Sequence, residues 1–113
     1  MNLKDYSDQA VTTLLDTHAY GNLDPKLLSQ ILGLVGESGE VAEKFKKLIR
    51  DKGGELSDYD KRELLKEIGD VLWYINSISQ LLGSDLQEVA ELNLEKVLSR
   101  KERGVTMGSG DNR

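Results

Sequence analysis

The sequence contains no cysteine and only one proline. The absence of cysteine excludes a disulfide scaffold and any thiolate metal site. The single proline leaves long stretches in which a helix would not be interrupted, and no stretch of any length alternates apolar and polar residues as a half-buried strand does. The sequence therefore predicts an all-α protein.

The sequence also lacks a basic excess and a long apolar run. A net charge of −5 and a pI near 4.9 argue against a nucleic-acid surface, which needs clustered basic residues. No stretch approaches the roughly 18 apolar residues of a membrane span, and the polar start "MNLKDYSDQA" does not resemble a signal peptide. We expect a cytoplasmic protein with neither nucleic acid nor a membrane as a partner.

Apolar residues at helical spacing predict four helices. Asp24 followed by Pro25 is a strong start signal for the second helix, and Gly53 and Gly54 would end it near Lys52. Ser57 is the expected N-cap of the third helix, which Gly83 would stop. The other two predicted helices cover roughly residues 3–19 and the stretch from an N-cap at Ser84, with Gln87 completing a capping box, to about residue 103.

The expected architecture is an antiparallel bundle of four to five helices. The 113 residues fit one domain, assigned to residues 1–103, followed by a glycine-rich flexible tail at residues 104–113. Four amphipathic helices in so short a chain leave apolar residues without cover, among them Leu65, Leu72 and Trp73. We therefore expect a homodimer or homotetramer.

Two pairs of carboxylates recur at the same spacing. Glu37 and Glu40 lie in the second helix, and Glu67 and Asp70 lie in the third. At about 100° per residue, each pair flanks the apolar stripe of its helix on the same side. The two pairs are also equally distant, in residues, from the Gly53–Gly54 turn. In an antiparallel hairpin the four carboxylates would therefore converge.

Converging carboxylates repel one another and need a cation. Oxygen ligands suit hard divalent ions, so we expect Mg²⁺, with Mn²⁺ as the alternative. Gly33 lies one turn before Glu37 and would leave space for a ligand to approach. The competing interpretation is ordinary surface charge, paired with nearby lysines at positions 44, 47 and 66.

The fourth helix carries an amide and two cations on or near its apolar face. Asn93 lies in the middle of the stripe, Lys96 lies about 60° away, and Arg100 returns to the same face. These groups would suit phosphate oxygens or would neutralise the acidic pairs. Alternatively, Asn93 fixes the helix register and the two cations are solvated.

Two aromatic residues follow the second acidic pair. Trp73 lies nearly opposite the stripe of its helix, where packing against a partner subunit is favoured over stacking on a base. Tyr74 lies between Glu67 and Asp70 on the helical wheel. It either orients a ligand carboxylate or belongs to the core.

Three segments resemble the MazG-like nucleotide pyrophosphohydrolases of the all-alpha NTP pyrophosphatase superfamily. They are "GESGEVAEKFKK", "LLKEIGDVLWYINSIS" and "LGSDLQEVAELNLEKVLSR", and the closing "GSGDNR" is similar to the tails of compact members. The family pattern is ExxE, a spacer and ExxD. Glu37, Glu40, Glu67 and Asp70 match it with 26 residues between the pairs, and Asn93 and Lys96 match a later NxxK.

The resemblance implies a helical oligomer that hydrolyses nucleoside triphosphates between the α and β phosphates. The four acidic residues would hold Mg²⁺, and Glu37 or Glu40 would accept a proton during the reaction. Asn93, Lys96 and Arg100 would contact the phosphates or a water at the metal. The base and sugar of the substrate, the number of metal ions and the biological role stay open.

Three alternative functions compete with this interpretation. Within the same fold, the substrate could be phosphoribosyl-ATP. A non-catalytic, metal-binding helical dimerisation module would have the same acidic cluster without turnover. A carboxylate-bridged iron bundle needs Glu-x-x-His pairs, but the only histidine, His18, has no glutamate three residues before it.

Overall fold

The computed structural model describes residues 1–15 and 21–113. Over these residues the chain is helical and contains no strand, which confirms the all-α prediction. The first predicted helix is shorter than expected, because it ends at Val11; the rest of that prediction falls partly on residues 16–20, including His18, which lie outside the described residues. The helices are α1 (Leu3–Val11), α2 (Pro25–Lys52), α3 (Asp58–Leu81) and α4 (Leu86–Glu102).

The ends of α2 follow the predicted signals. The Asp24 side chain accepts a hydrogen bond from the amide of Lys26, and Pro25 takes the first helical position. Gly53 ends the helix in the left-handed conformation, at a φ of 61°. The turn into α3 therefore starts where the sequence predicts it.

The start of α3 is closed by a capping box. The Ser57 hydroxyl accepts from the amide of Asp60, and the Asp60 carboxylate accepts from the amide of Ser57. Lys52, at the end of α2, donates to both oxygens of the same carboxylate at 2.9 Å. Asp60 is only 7% exposed. One carboxylate thus ties the two helices together beside their turn, which we call the closed end of the hairpin.

The predicted N-cap of α4 is wrong by one residue. Asp85, not Ser84, caps the helix, and its side chain accepts from the amide of Glu88. The Ser84 hydroxyl instead donates to the Glu88 carboxylate. Aspartate and serine cap almost equally well, so the choice between neighbours depends on the loop geometry after Gly83 rather than on residue type.

Helices α2 and α3 form an antiparallel hairpin in the predicted register. At mid-hairpin, the ring of Tyr74 lies against Gly33. Further from the turn, Ser77 donates to the side-chain oxygen of Gln30 at 2.6 Å. Both pairs are equally spaced about the Gly53–Gly54 turn, as the carboxylate pairs are. The register therefore places Glu37 across from Asp70.

Little apolar surface is buried in the described part of the chain. Within it, α2 packs on α3, α4 makes a smaller contact with α3, and α1 contacts none of the other helices. Leu64, at 5% exposure, is the one buried apolar side chain in residues 1–15 and 21–113. None of the described helices has a stretch long and apolar enough for a membrane span.

Candidate metal centre

Three of the four predicted carboxylates come together. Glu37 from α2 and Glu67 and Asp70 from α3 each bring an oxygen to within 4.8 Å of the others. We call these three residues the acidic cluster. Glu40 is exposed and lies outside it. The predicted four-fold convergence is therefore met by three residues, because Glu40 lies further round α2 from the hairpin face than Glu37 does.

The acidic cluster carries unbalanced negative charge. Partial burial, together with the nearby Asp70, Glu67 and Glu40 carboxylates, raises the pKa of Glu37 above its ordinary value. The nearest cation is Lys44, whose ammonium lies 3.3 Å from Glu67 and so balances one of the three carboxylates. A cation placed between the three would relieve the remaining repulsion.

The donor set fits a hard divalent ion. Carboxylate oxygens are the ligands that Mg²⁺ and Mn²⁺ take, and two carboxylates with a phosphate-bearing substrate are a usual Mg²⁺ environment. The cluster is half-exposed, so water and substrate oxygens could complete the coordination. Glu37, Glu67 and Asp70 are the residues that would hold the ion.

Gly33 has a different role from the one expected. A methyl group at Gly33 would lie 2.2 Å from the Tyr74 ring, so the missing side chain makes room for tyrosine rather than for a ligand. Tyr74 is half-buried in this contact. This packing fixes the register of α3 against α2 and so aligns Asp70 with Glu37. The sequence-based prediction for Gly33 missed this role.

Trp73 lies beside the acidic cluster. It lines a shallow depression of about 330 Å³ together with Glu37, Asp70 and Tyr74. Its ring is 5.0 Å from that of Tyr74, with the two planes at 82°. The indole is 59% exposed. An exposed aromatic side chain therefore borders the carboxylates directly.

The predicted phosphate-binding residues of α4 are not paired with the acidic cluster. Asn93 is exposed, and within the described residues no hydrogen bond or ion pair joins it, Lys96 or Arg100 to the three carboxylates. Lys96 and Arg100 instead both lie 3.3 Å from the Asp111 carboxylate. Their predicted contact with phosphate stays a prediction.

The tail folds back on α4. Arg100, only 8% exposed, donates to the carbonyl oxygens of Gly110 and Asp111. Arg113 also donates to the Gly110 carbonyl and to those of Val105 and Thr106. Hydrogen bonding to Lys96, then to Arg100, holds the pKa of Asp111 below its usual value. Asp111 was not among the predicted residues. The available signal for this contact was an acidic and a basic residue, Asp111 and Arg113, placed directly after the glycines of "GSGDNR".

The chain was also compared with known proteins. A profile of the MazG nucleotide pyrophosphohydrolase domain matches residues 26–105, which span the α2–α3 hairpin and α4. This chain belongs to the MazG family. The match covers well over half of the sequence and contains the acidic cluster, Glu40 and the three candidate residues of α4, whereas Asp111 lies beyond it.

A relative of this chain occurs in a bacteriophage. "Gene 37 protein" of Mycobacterium phage L5 is 49% identical to this chain over 82 residues, which are 73% of this chain and 72% of that protein. No solved structure gives a significant match. The relative's name states neither a family nor an activity, so family membership rests on the domain profile alone.

Proposed function

We propose that this MazG-family protein is a magnesium-dependent nucleoside triphosphate pyrophosphohydrolase. It would cleave between the α and β phosphates and yield a nucleoside monophosphate and pyrophosphate. The observation that carries the proposal is the meeting of Glu37, Glu67 and Asp70 across two helices, within the region that matches the family. Mn²⁺ is the alternative ion.

The three clustered carboxylates and their neighbours would divide the work. Bound Mg²⁺ supplies charge neutralisation for the polyphosphate and lowers the pKa of water. Lys44 holds the Glu67 carboxylate in place from one side. Glu40 lies outside the cluster, yet close enough to raise the pKa of Glu37. A Glu40 carboxylate oxygen is therefore the group left to accept the proton of the attacking water.

The residues of α4 would act on the phosphates. Asn93 offers an amide, and Lys96 and Arg100 offer charge-assisted hydrogen bonds. In this chain the Asp111 carboxylate already occupies both cations. A substrate phosphate at the same place would compete with that carboxylate, which presents the same charge and similar oxygens.

We also propose that the working form is a homodimer or a larger homo-oligomer. Large apolar side chains stay exposed along the helices, including Leu65 at 66% and Leu72 at 51%. A second copy would cover such surface and could bring its own α4 to the acidic cluster. Light scattering at micromolar concentration would give the mass, and a monomer would contradict this part of the proposal.

The proposed reaction is tested by its product. We expect pyrophosphate, not phosphate, to be released from one or more members of a panel of NTPs and dNTPs, and only with Mg²⁺ or Mn²⁺ present. Phosphoribosyl-ATP belongs in the panel as the substrate of the related reaction. Release of phosphate alone would contradict cleavage between the α and β phosphates.

Matched variants locate the reaction. Glu37→Gln and Asp70→Asn keep the shape of the side chain while removing its charge, and both should abolish turnover in folded protein. Glu43→Gln is the control on α2, because the Glu43 carboxylate pairs with Lys46 at the surface and is not a member of the acidic cluster. Turnover that survives in both cluster variants would overturn the assignment. Metal binding without turnover of any panel member would support a non-catalytic module instead.

A further inference from the structure

Trp73 connects two surface depressions with different chemistry. The first is the one it shares with Glu37 and Asp70. The second, of about 530 Å³, is lined by Trp73 together with the polar side chains of Lys26, Gln30, Asn76 and Gln80. Trp73 is the one residue common to the two. A ligand that extends from the carboxylates along the hairpin would therefore cross the indole.

The indole is held in place without being covered. Tyr74 packs on Gly33 and meets Trp73 at 82°, so the tyrosine supports the indole but does not stack on it. More than half of the Trp73 surface remains exposed. A flat aromatic surface of this kind stacks on any nucleobase, because every base has a π-face.

The second depression offers neutral hydrogen-bonding groups. The side-chain oxygen of Gln30 accepts a hydrogen bond from the Ser77 hydroxyl, and the side-chain oxygen of Asn76 accepts one from the side-chain amide of Gln80. Within the described residues this leaves the NH₂ groups of Gln30 and Asn76 as donors that make no hydrogen bond. Asn and Gln amides recognise the edges of bases through such donors and acceptors.

The charge distribution fits a nucleotide in one orientation. Among the described residues, the lining of the first depression contains carboxylates that would hold a cation and phosphates, and no basic residue. Counted over the same residues, the second has no carboxylate, and its one charged residue is Lys26. Along α3, Trp73 lies one turn beyond Asp70, and Asn76 lies close to one turn further, each step being about 4.5 Å.

We propose that Trp73 is the base-stacking residue of this site, with the base edges facing Gln30, Asn76 and Gln80. The inference rests on the proposed function and adds to it the place where the base would be bound. It replaces the expectation that Trp73 packs against a partner subunit. The neutral amides, rather than the acidic cluster, would then select the base.

The single tryptophan allows a direct test of binding. Trp73 is the only tryptophan of the chain, so its fluorescence reports on this position alone. A nucleoside triphosphate with a non-hydrolysable α,β-methylene bridge, added with Mg²⁺, should quench it. Inorganic tripolyphosphate should compete with that analogue but leave the indole fluorescence nearly unchanged.

Kinetics provide the second test. Trp73→Ala should raise KM for the nucleotide by about 30-fold, the middle of the range for losing one stacked base, with a much smaller change in kcat. Trp73→Phe should stay close to wild type. The inhibition constant of tripolyphosphate should be equal in all three proteins. Tyr59→Ala is the matched control, because Tyr59 is an exposed aromatic residue of α3 beside the closed end of the hairpin and lines neither depression.

Three outcomes would overturn the inference, and they differ from one another. Unchanged KM and no quenching, with turnover intact, would exclude stacking while the proposed function stands. If Trp73→Ala lost affinity for nucleotide and tripolyphosphate equally and changed the mass of the oligomer, Trp73 would be assigned to a subunit interface instead. Wild-type protein that neither turns over nor binds any nucleotide would remove the proposed function and this inference together.

Discussion

The closed end and the middle of the α2–α3 hairpin use carboxylates in opposite ways. At the closed end, Asp60 receives hydrogen bonds from Lys52 and the Ser57 amide, which hold its pKa below the usual value. In the middle, at the acidic cluster, partial burial and the facing Asp70 and Glu67 carboxylates raise the pKa of Glu37. The protein itself supplies the partners of the Asp60 carboxylate. The negative charge around Glu37 is balanced only if a cation binds.

This difference separates a structural acid from a candidate functional one. Both side chains are carboxylates of the same hairpin, Glu37 on α2 and Asp60 on α3, so the chemistry of the side chain alone does not distinguish them. What differs is the set of partners that the fold supplies. A carboxylate cluster that the protein leaves unbalanced is a candidate for a cation, whereas a paired one stabilises the hairpin.

Charge removal at the acidic cluster and at the closed end should give the largest contrast. Asp70→Asn should lower the rate of pyrophosphate release by more than about 100-fold, since even outer-sphere changes at metal sites cost 10- to 100-fold. Asp60→Asn should lower the thermal midpoint but leave the rate nearly unchanged when assayed well below that midpoint. Equal effects of the two variants on the rate would erase the proposed distinction.

Glycine substitutions should separate the close contact from the open surface. Gly33→Ala drives a methyl group into the Tyr74 ring and should destabilise the fold by about 1–3 kcal/mol, as overpacking does. Gly39→Ala meets nothing within 4 Å and should stabilise α2 by about 0.5–1 kcal/mol. Urea unfolding gives both values. A stabilised Gly33→Ala would show that Tyr74 does not set the register.

The pH dependence of metal-free stability should differ in sign between Glu37 and Asp60. The raised pKa of Glu37 contributes stability that is present below its unfolded pKa and lost as pH rises through the folded pKa. The lowered pKa of Asp60 contributes stability that is present above its unfolded pKa and lost as pH falls through the folded pKa.

Unfolding free energies measured across the acidic range check these signs. Glu37→Gln should reduce the loss of unfolding free energy as the pH rises towards neutral, and Asp60→Asn should reduce the loss as the pH falls. Saturating Mg²⁺ should remove the loss towards neutral pH and leave the loss towards acidic pH. A decline towards neutral pH that persists in Glu37→Gln would assign it to another group.

Much of the hairpin could be predicted from the sequence. Asp24, Pro25 and Gly53 are strong local signals, and two long apolar stripes joined by a glycine turn allow one antiparallel register. The opposition of Glu37 and Asp70 follows from that register alone. Features set by local sequence over three or four residues were therefore accessible without a structure.

The features that were missed depend on contacts distant in sequence or on competing local choices. The fit of Tyr74 against Gly33 joins residues 41 positions apart. The pairing of Lys96 with Asp111 requires the tail to turn back, which its glycines permit but do not specify. Asp85 and Ser84 are both good N-caps, so residue type could not decide between them.

The smallest effect is expected at the tail. Asp111→Asn removes the ion pairs with Lys96 and Arg100. Because the Asp111 side chain is 80% exposed in both pairs, the thermal midpoint should barely change. Hydrogen exchange of residues 104–113 should nevertheless become faster, while that of α2 and α3 does not. Unchanged exchange in the tail would show that the backbone contacts of Arg100 and Arg113 are sufficient to hold it.

Direct measurement of divalent-cation binding tests the account most plainly. Titration calorimetry with Mg²⁺, repeated with Mn²⁺, should show binding to wild-type protein and to Asp60→Asn. Binding should be lost in Glu67→Gln, which alters the acidic cluster and keeps the closed end intact. Equal affinity for the divalent ion in wild type and Glu67→Gln would contradict the claim that the acidic cluster binds a metal ion.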